Sequence, residues 1–118
     1  MSAAPFRAKV VANVVVAKKA STGLSSIAKQ PAPKSLSAEE KKTWAEQSKV
    51  LAAGSARLAA LKLKMDAVLA KTNAPASELA QVNLELANAQ QEIESASSRL
   101  ATNAALKTRH EAALRAMR

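Results

Sequence analysis

The side chains that could do chemistry in this chain are few. His110 is its only imidazole, set between Arg109 and Glu111, and there is no cysteine or tyrosine to share work with it. A lone histidine on a helix surface supplies neither a nucleophile with its base nor a set of metal ligands. Without cysteine there are also no disulfides and no thiolate metal sites. Glu92 and Glu94 are two residues apart, which on a helix turns them away from each other and from a shared proton. Neither Gly23 nor Gly54 opens a helix after a strand, so no phosphate-cradling loop is present, and the serines have no base nearby in the pattern. The sequence predicts a non-enzymatic protein with no catalytic residue, metal site or cofactor.

Charge is the chemistry that remains. The chain of 118 residues carries a formal net charge of +9, and Arg7, Lys9, Lys18, Lys19, Lys29 and Lys34 all precede the first acidic residue, Glu39. Together with Lys41, Lys42 and Lys49, on one side of the first long helical pattern, they are the candidate contacts to a polyanion or partner. Such residues neutralise phosphates without reading bases. Phe6 and Trp44 are the only aromatics, and zinc, homeodomain and RNP patterns are absent, which argues against sequence-specific recognition of nucleic acid.

A second set of charges is patterned rather than merely abundant. Arg57, Lys64 and Lys71 step by seven, as do Glu78, Glu85 and Glu92, and the two rows nest about Asn73 and Ala74. Two helices folded back on each other bring such rows together along a shared flank. The apolar residues repeat the reflection, with Trp44, Leu51, Leu58 and Met65 in one ladder and Leu79, Leu86, Ile93 and Leu100 in another. The seam predicted from this register is Leu51, Leu58, Leu61, Met65 and Val68 against Leu79, Val82, Leu86 and Ile93, with Gly54 facing Ile93. Large residues meet small ones, which lets helices approach closely.

The elements that must position these residues form an all-α fold: an antiparallel two-helix coiled-coil hairpin over residues 37–118, preceded by a basic extension over residues 1–36. Ser37 and Glu40 make a capping box at the start of a helix over about 38–71. Residues 72–75 turn the chain, and Pro75 suits the first turn of a second helix over about 76–117, which contains no glycine or proline. In the extension, Ser2 and Pro5 could start a short helix, with Phe6, Val10, Val14 and Ala17 at helical spacing. Five valines between Val10 and Val16 argue instead for a strand. Gly23 and neighbouring serines then break the pattern, and residues 29–35, with Pro31 and Pro33, read as an extended linker. At the open end, Leu106, Leu114 and Met117 form a stripe that either a partner protein or Leu24, Ile27 and Leu36 of the arm could cover.

The functional expectation is a structural or assembly subunit of a larger complex, such as a virion or ribonucleoprotein, with the basic arm as anchor and other protein subunits as partners. A nonspecific nucleic-acid-binding or packaging role through the arm is the first alternative. A membrane-surface role through Phe6 to Lys19 is the second. No stretch reaches the roughly 20 apolar residues of a bilayer span, and a thin seam of alanine and leucine leaves no room for a small-molecule substrate. The acid-free, Ser- and Ala-containing start has features of an organelle import sequence. Lys18 and Lys19 follow the apolar run, the wrong order for a secretory signal.

Overall fold

The computed structural model describes residues 3–118, which form four helices: α1 (Ala4–Ala28), α2 (Ala38–Ala70), α3 (Ala76–Arg99) and α4 (Ala104–Ala116). They pack into a rod of 55 × 19 × 16 Å. Two features of the expected fold are corrected. The basic extension is not an arm with a short helix but a 25-residue helix built into the core, and the second hairpin helix is two helices rather than one.

The hairpin itself follows the charge and apolar registers. Ser37 Oγ accepts from Glu40 N and Glu40 Oε1 accepts from Ser37 N, completing the capping box of α2. Across the seam Lys64 pairs with Glu85 at 2.8 Å, Lys71 with Glu78 at 2.5 Å, and Arg57 with Glu92. Leu51, Leu58, Met65, Val68, Leu79, Val82, Leu86 and Ile93 are all buried, whereas Leu61 is half-buried at the groove edge. Gly54 lies against Ile93, where a Cβ would come within 2.8 Å of the Ile93 Cδ1.

α1 closes the side of the hairpin that two helices leave open. Val10, Ala17, Ala20 and Leu24 recur at helical spacing and are wholly buried, and Phe6, Val14 and Ile27 pack beside them. That tertiary burial overrides the strand preference of the valine run. The expected cap, Ser2, lies outside the described residues; Pro5 sits in the first turn as anticipated. Small residues bring α1 and α2 close enough for reciprocal bonds: Ser21 Oγ donates to Ser55 O at 2.7 Å, and Ser55 Oγ donates to Ser21 O at 2.6 Å. Asn13 donates to Asn83 Oδ1 at 2.9 Å, fixing the register of α1 beside α3. At the foot of the bundle the Arg7 guanidinium donates to the carbonyls of Leu69 and Lys71, capping the C-terminus of α2.

α3 stops because Asn103 competes with helix continuation. Its Oδ1 accepts from Leu106 N at 2.9 Å, so it begins α4 as an N-cap, while its Nδ2 donates to Glu40 Oε2 at 2.7 Å. α4 then folds back antiparallel to α3, with Gln90 donating to Met117 O and His110 beside Ser97. This covers the end that a straight helix would have left open. Leu106 and Met117 are buried and Leu114 is half-buried, so of the two covers expected for this stripe, a partner protein or the chain itself, the chain packs there.

Close approach at the glycines yields a stability test. At Gly23 a Cβ would come within 2.8 Å of the Ala116 Cβ, which has no side-chain torsion with which to yield. Gly23→Ala should therefore lower stability by about 1–3 kcal/mol in denaturant unfolding, despite its gain of about 1 kcal/mol in helix propensity. Gly54→Ala meets the side chain of Ile93, and Ile93→Val should recover part of its cost. Equal or greater stability of Gly23→Ala would contradict the α1–α4 packing.

Candidate functional site

The polar groups of this bundle gather in two places, one buried and one exposed. The buried group surrounds Trp44, where α1 ends and α4 turns back. Arg109 is 3% exposed, and its guanidinium donates to Trp44 O at 3.0 Å, Ile27 O at 2.8 Å and Ala28 O at 3.2 Å. Its Cζ lies 4.0 Å from the centroid of the Trp44 ring, within cation–π range. No carboxylate pairs with it. The compensating charge is the negative end of the α1 dipole, whose last carbonyls point into the guanidinium. Burial pushes Arg109 down to about 10 from the higher value usual for a guanidinium, so it remains a cation at neutral pH. A proton deficit of the folded state arises only between those two values, where stability rises with pH; Arg109 adds no pH dependence near neutrality.

Beside it Gln47, fully buried, directs Nε2 at Ser97 O, Ser97 Oγ and Leu106 O, each at 3.3 Å. His110 Nδ1 lies 2.9 Å from Ser97 Oγ. The sequence pattern had placed no base near a serine, and the return of α4 creates this contact. Ser97 is 0% exposed beneath Gln47, so the hydroxyl is shielded from any substrate and serves to join α2, α3 and α4. Trp44 Nε1 donates to Gln30 O at 3.2 Å and holds the α1–α2 connection against the same end. From the sequence, the seam register puts Gln47 and Asn103 at a polar, open end of the hairpin, but it assigns no role to them or to Arg109 and Ser97. One signal was there to read: Arg109 occupies the helical position between Leu106 and Ala113, a basic residue inside an apolar stripe.

The exposed group is the lysines. Lys9, Lys18, Lys19, Lys29, Lys34, Lys41, Lys42 and Lys49 are all exposed. Among the described residues none of them forms an ion pair; the basic partners are Arg57, Lys62, Lys64 and Lys71. Arg7, read as a member of this set, is instead committed to the α2 carbonyls. α1 and α2 are antiparallel, with Ser21 beside Ser55 and Gln30 beside Trp44. Lys29, Lys34, Lys41 and Lys42 therefore lie about the α1–α2 connection, Lys49 lies farther along α2, and Lys18, which shares a cleft with Ala59 and Leu63, lies with Lys19 near the middle of the rod. Its best-formed clefts are shallow and open; one between α1 and α2, about 300 Å³, is lined by Lys18, Ser21, Thr22, Ala59, Lys62 and Leu63. Among the described residues no cluster of three or more His, Cys, Asp or Glu could hold a metal ion, and no helix is long and apolar enough to cross a membrane. Comparison with protein-family models, with curated proteins and with solved structures gives no match.

Two outcomes follow from the buried group and its cap. Arg109→Met should lower stability by about 3 kcal/mol, because carbonyls of α1 and α2 lose their donor at a buried site. Arg109→Lys should fall between, since an ammonium cannot span the same carbonyls. Emission of Trp44, the only tryptophan, should shift to the red in both; unchanged emission and stability would contradict the geometry. On the acid side, the Ser37 bonds hold the Glu40 carboxyl below its ordinary 4.5, and Lys64 does the same for Glu85. A depressed carboxylate stabilises fully above its unfolded value and loses that contribution as pH falls through the folded one. Glu40→Gln should therefore be less stable than the parent at pH 7, with the difference shrinking below about pH 4. A constant difference across that range would remove the capping box as its cause.

Proposed function

We propose that this protein is a non-enzymatic structural or assembly subunit of a larger macromolecular complex: a rigid helical spacer joined to its neighbours through the lysine-bearing side formed by α1 and α2. The observation that carries the reading is the row of seven lysines, Lys18 to Lys49, that form no ion pair among the described residues and run from mid-α1 through the α1–α2 connection into the first half of α2. Like charges held together on a folded scaffold build a potential that an oppositely charged surface relieves, and they steer its approach. The remaining titratable groups favour the same reading, because the buried cation is spent on helix carbonyls and three carboxylates on the flank. The anchor in this form is a helical face and not a flexible tail.

Nonspecific nucleic-acid binding is the second reading, favoured by the same lysines, since phosphate neutralisation needs charge alone. The membrane-surface alternative loses the apolar face it relied on. Phe6, Val10 and Ala17 pack into the bundle, so that face is not offered to lipid.

Recovery of the intact chain with its native partners, before and after nuclease treatment and over a salt series, separates these readings. The assembly reading predicts protein partners that persist after nuclease and are lost when Lys18, Lys19, Lys29 and Lys34 become Gln. Release by nuclease, with a steep salt dependence, would replace it with the nucleic-acid reading.

A further inference from the structure

The open groove between α1 and α2 combines features that the fold does not use. Val11, Val15 and Leu63 are 54%, 66% and 65% exposed, although each sits on a helix with a well-packed inner side. Val11, Val15 and Lys18 succeed one another along one ridge of α1, and Lys18 shares a cleft with Ala59 and Leu63 of α2. The groove therefore has an apolar end at Val11, Val15 and Leu63. Beyond Lys18 the groove is lined by serines of both helices and by Lys29, and neither Lys18 nor Lys29 has an ionic partner among the described residues.

We infer that this groove is the docking surface for an acidic amphipathic helix of a partner protein, whose apolar residues seat on Val11, Val15 and Leu63 and whose carboxylates meet Lys18 and Lys29. The inference rests on the assembly reading and names the partner's chemistry. Charge complementarity selects this occupant. A duplex would meet the lysines but gain nothing from an exposed leucine and two valines. A bilayer surface is bound best through aromatic and large apolar side chains, yet Trp44 is buried and Phe6 packs inward. In a second copy of this chain, Glu78, Glu85 and Glu92 are already committed to their own flank, and the carboxylates outside ion pairs and the capping box, Glu39, Glu46, Glu94 and Glu111, are divided among α2, α3 and α4. A helix laid in the groove follows the i, i+3, i+4, i+7 anchor pattern of helix-in-groove recognition. Val11 to Lys29 spans roughly 27 Å, about five turns of such a helix.

The test uses the full chain and a labelled helical peptide of about 24 residues, with leucines on one stripe and glutamates beside it. The controls are the same peptide with lysine for glutamate, a DNA duplex, and vesicles containing phosphatidylglycerol. The glutamate peptide should bind at least about tenfold more tightly than the lysine peptide. Val15→Ser with Leu63→Ser should weaken it by a similar factor while circular dichroism stays unchanged, and Lys18→Glu with Lys29→Glu should shift preference toward the lysine peptide. Equal binding of both peptides, no effect of the Val15 and Leu63 changes, or binding to duplex or vesicles in place of the glutamate peptide would overturn the inference. So would concentration-dependent self-association abolished by the same two changes, which would make a second copy the occupant. If the Val15 and Leu63 variant still recovers nuclease-resistant, lysine-dependent partners, the groove is wrong and the assembly reading survives.

Discussion

A hairpin of two helices buries only one stripe of each, and the rest of this fold depends on how the remaining stripe is covered. α2 and α3 meet along Leu58, Met65, Val82 and Leu86, and α1 lays Val10, Ala17, Ala20 and Leu24 over the open side. Few of these side chains are large, so burial is complete only if the helices come close. The small residues permit that, and close approach in turn favours a partner for each polar group between the helices; among the described buried side chains only Gln47 Oε1 and Arg109 Nε lack one. Ser21 with Ser55 and Asn13 with Asn83 meet the demand in mid-bundle, and Arg7 meets it at one end.

Arg109 solves the same problem at the opposite end. The last carbonyls of α1 lie at a part-buried end of the bundle, and a planar guanidinium spans Ile27 and Ala28 while lying over Trp44. The break at Asn103 is what makes this geometry available, because only a chain that turns back can bring position 109 to residue 44. Glu40 ties the two events together, closing the capping box of α2 with one oxygen and holding Asn103 with the other. The interior thus consumes the scarce polar chemistry of the sequence, and what is left outside is the lysine surface and the groove beside it.

Much of the hairpin was legible because its signals are local or periodic. The Ser37 and Glu40 spacing, the heptad rows of charge and the Gly54 to Ile93 correspondence each follow from a short repeat or a single reflection. α1 was harder to read, because its valines speak for a strand and its alanines are weak markers of burial; only the groove of the hairpin decides between them. The end of α3 was missed for a related reason. No glycine or proline marks it, and an asparagine cap shows its value only through the helix that it starts. Arg109 lay in plain sight within an apolar stripe, but its partners are carbonyls of another helix, which no sequence pattern records. The lysines were recognised as a set, while the approach of those on α1 to those on α2 depends on α1 folding back along α2.

Native-state hydrogen exchange measures most directly whether α1 is part of the core. If it is, amides from Val10 to Leu24 should be protected to the same level as those from Leu51 to Met65 and from Leu79 to Ile93, exchanging through one shared global opening. Exchange of the α1 amides orders of magnitude faster, with α2 and α3 still protected, would contradict the account and return the first helix to the status of an appended arm.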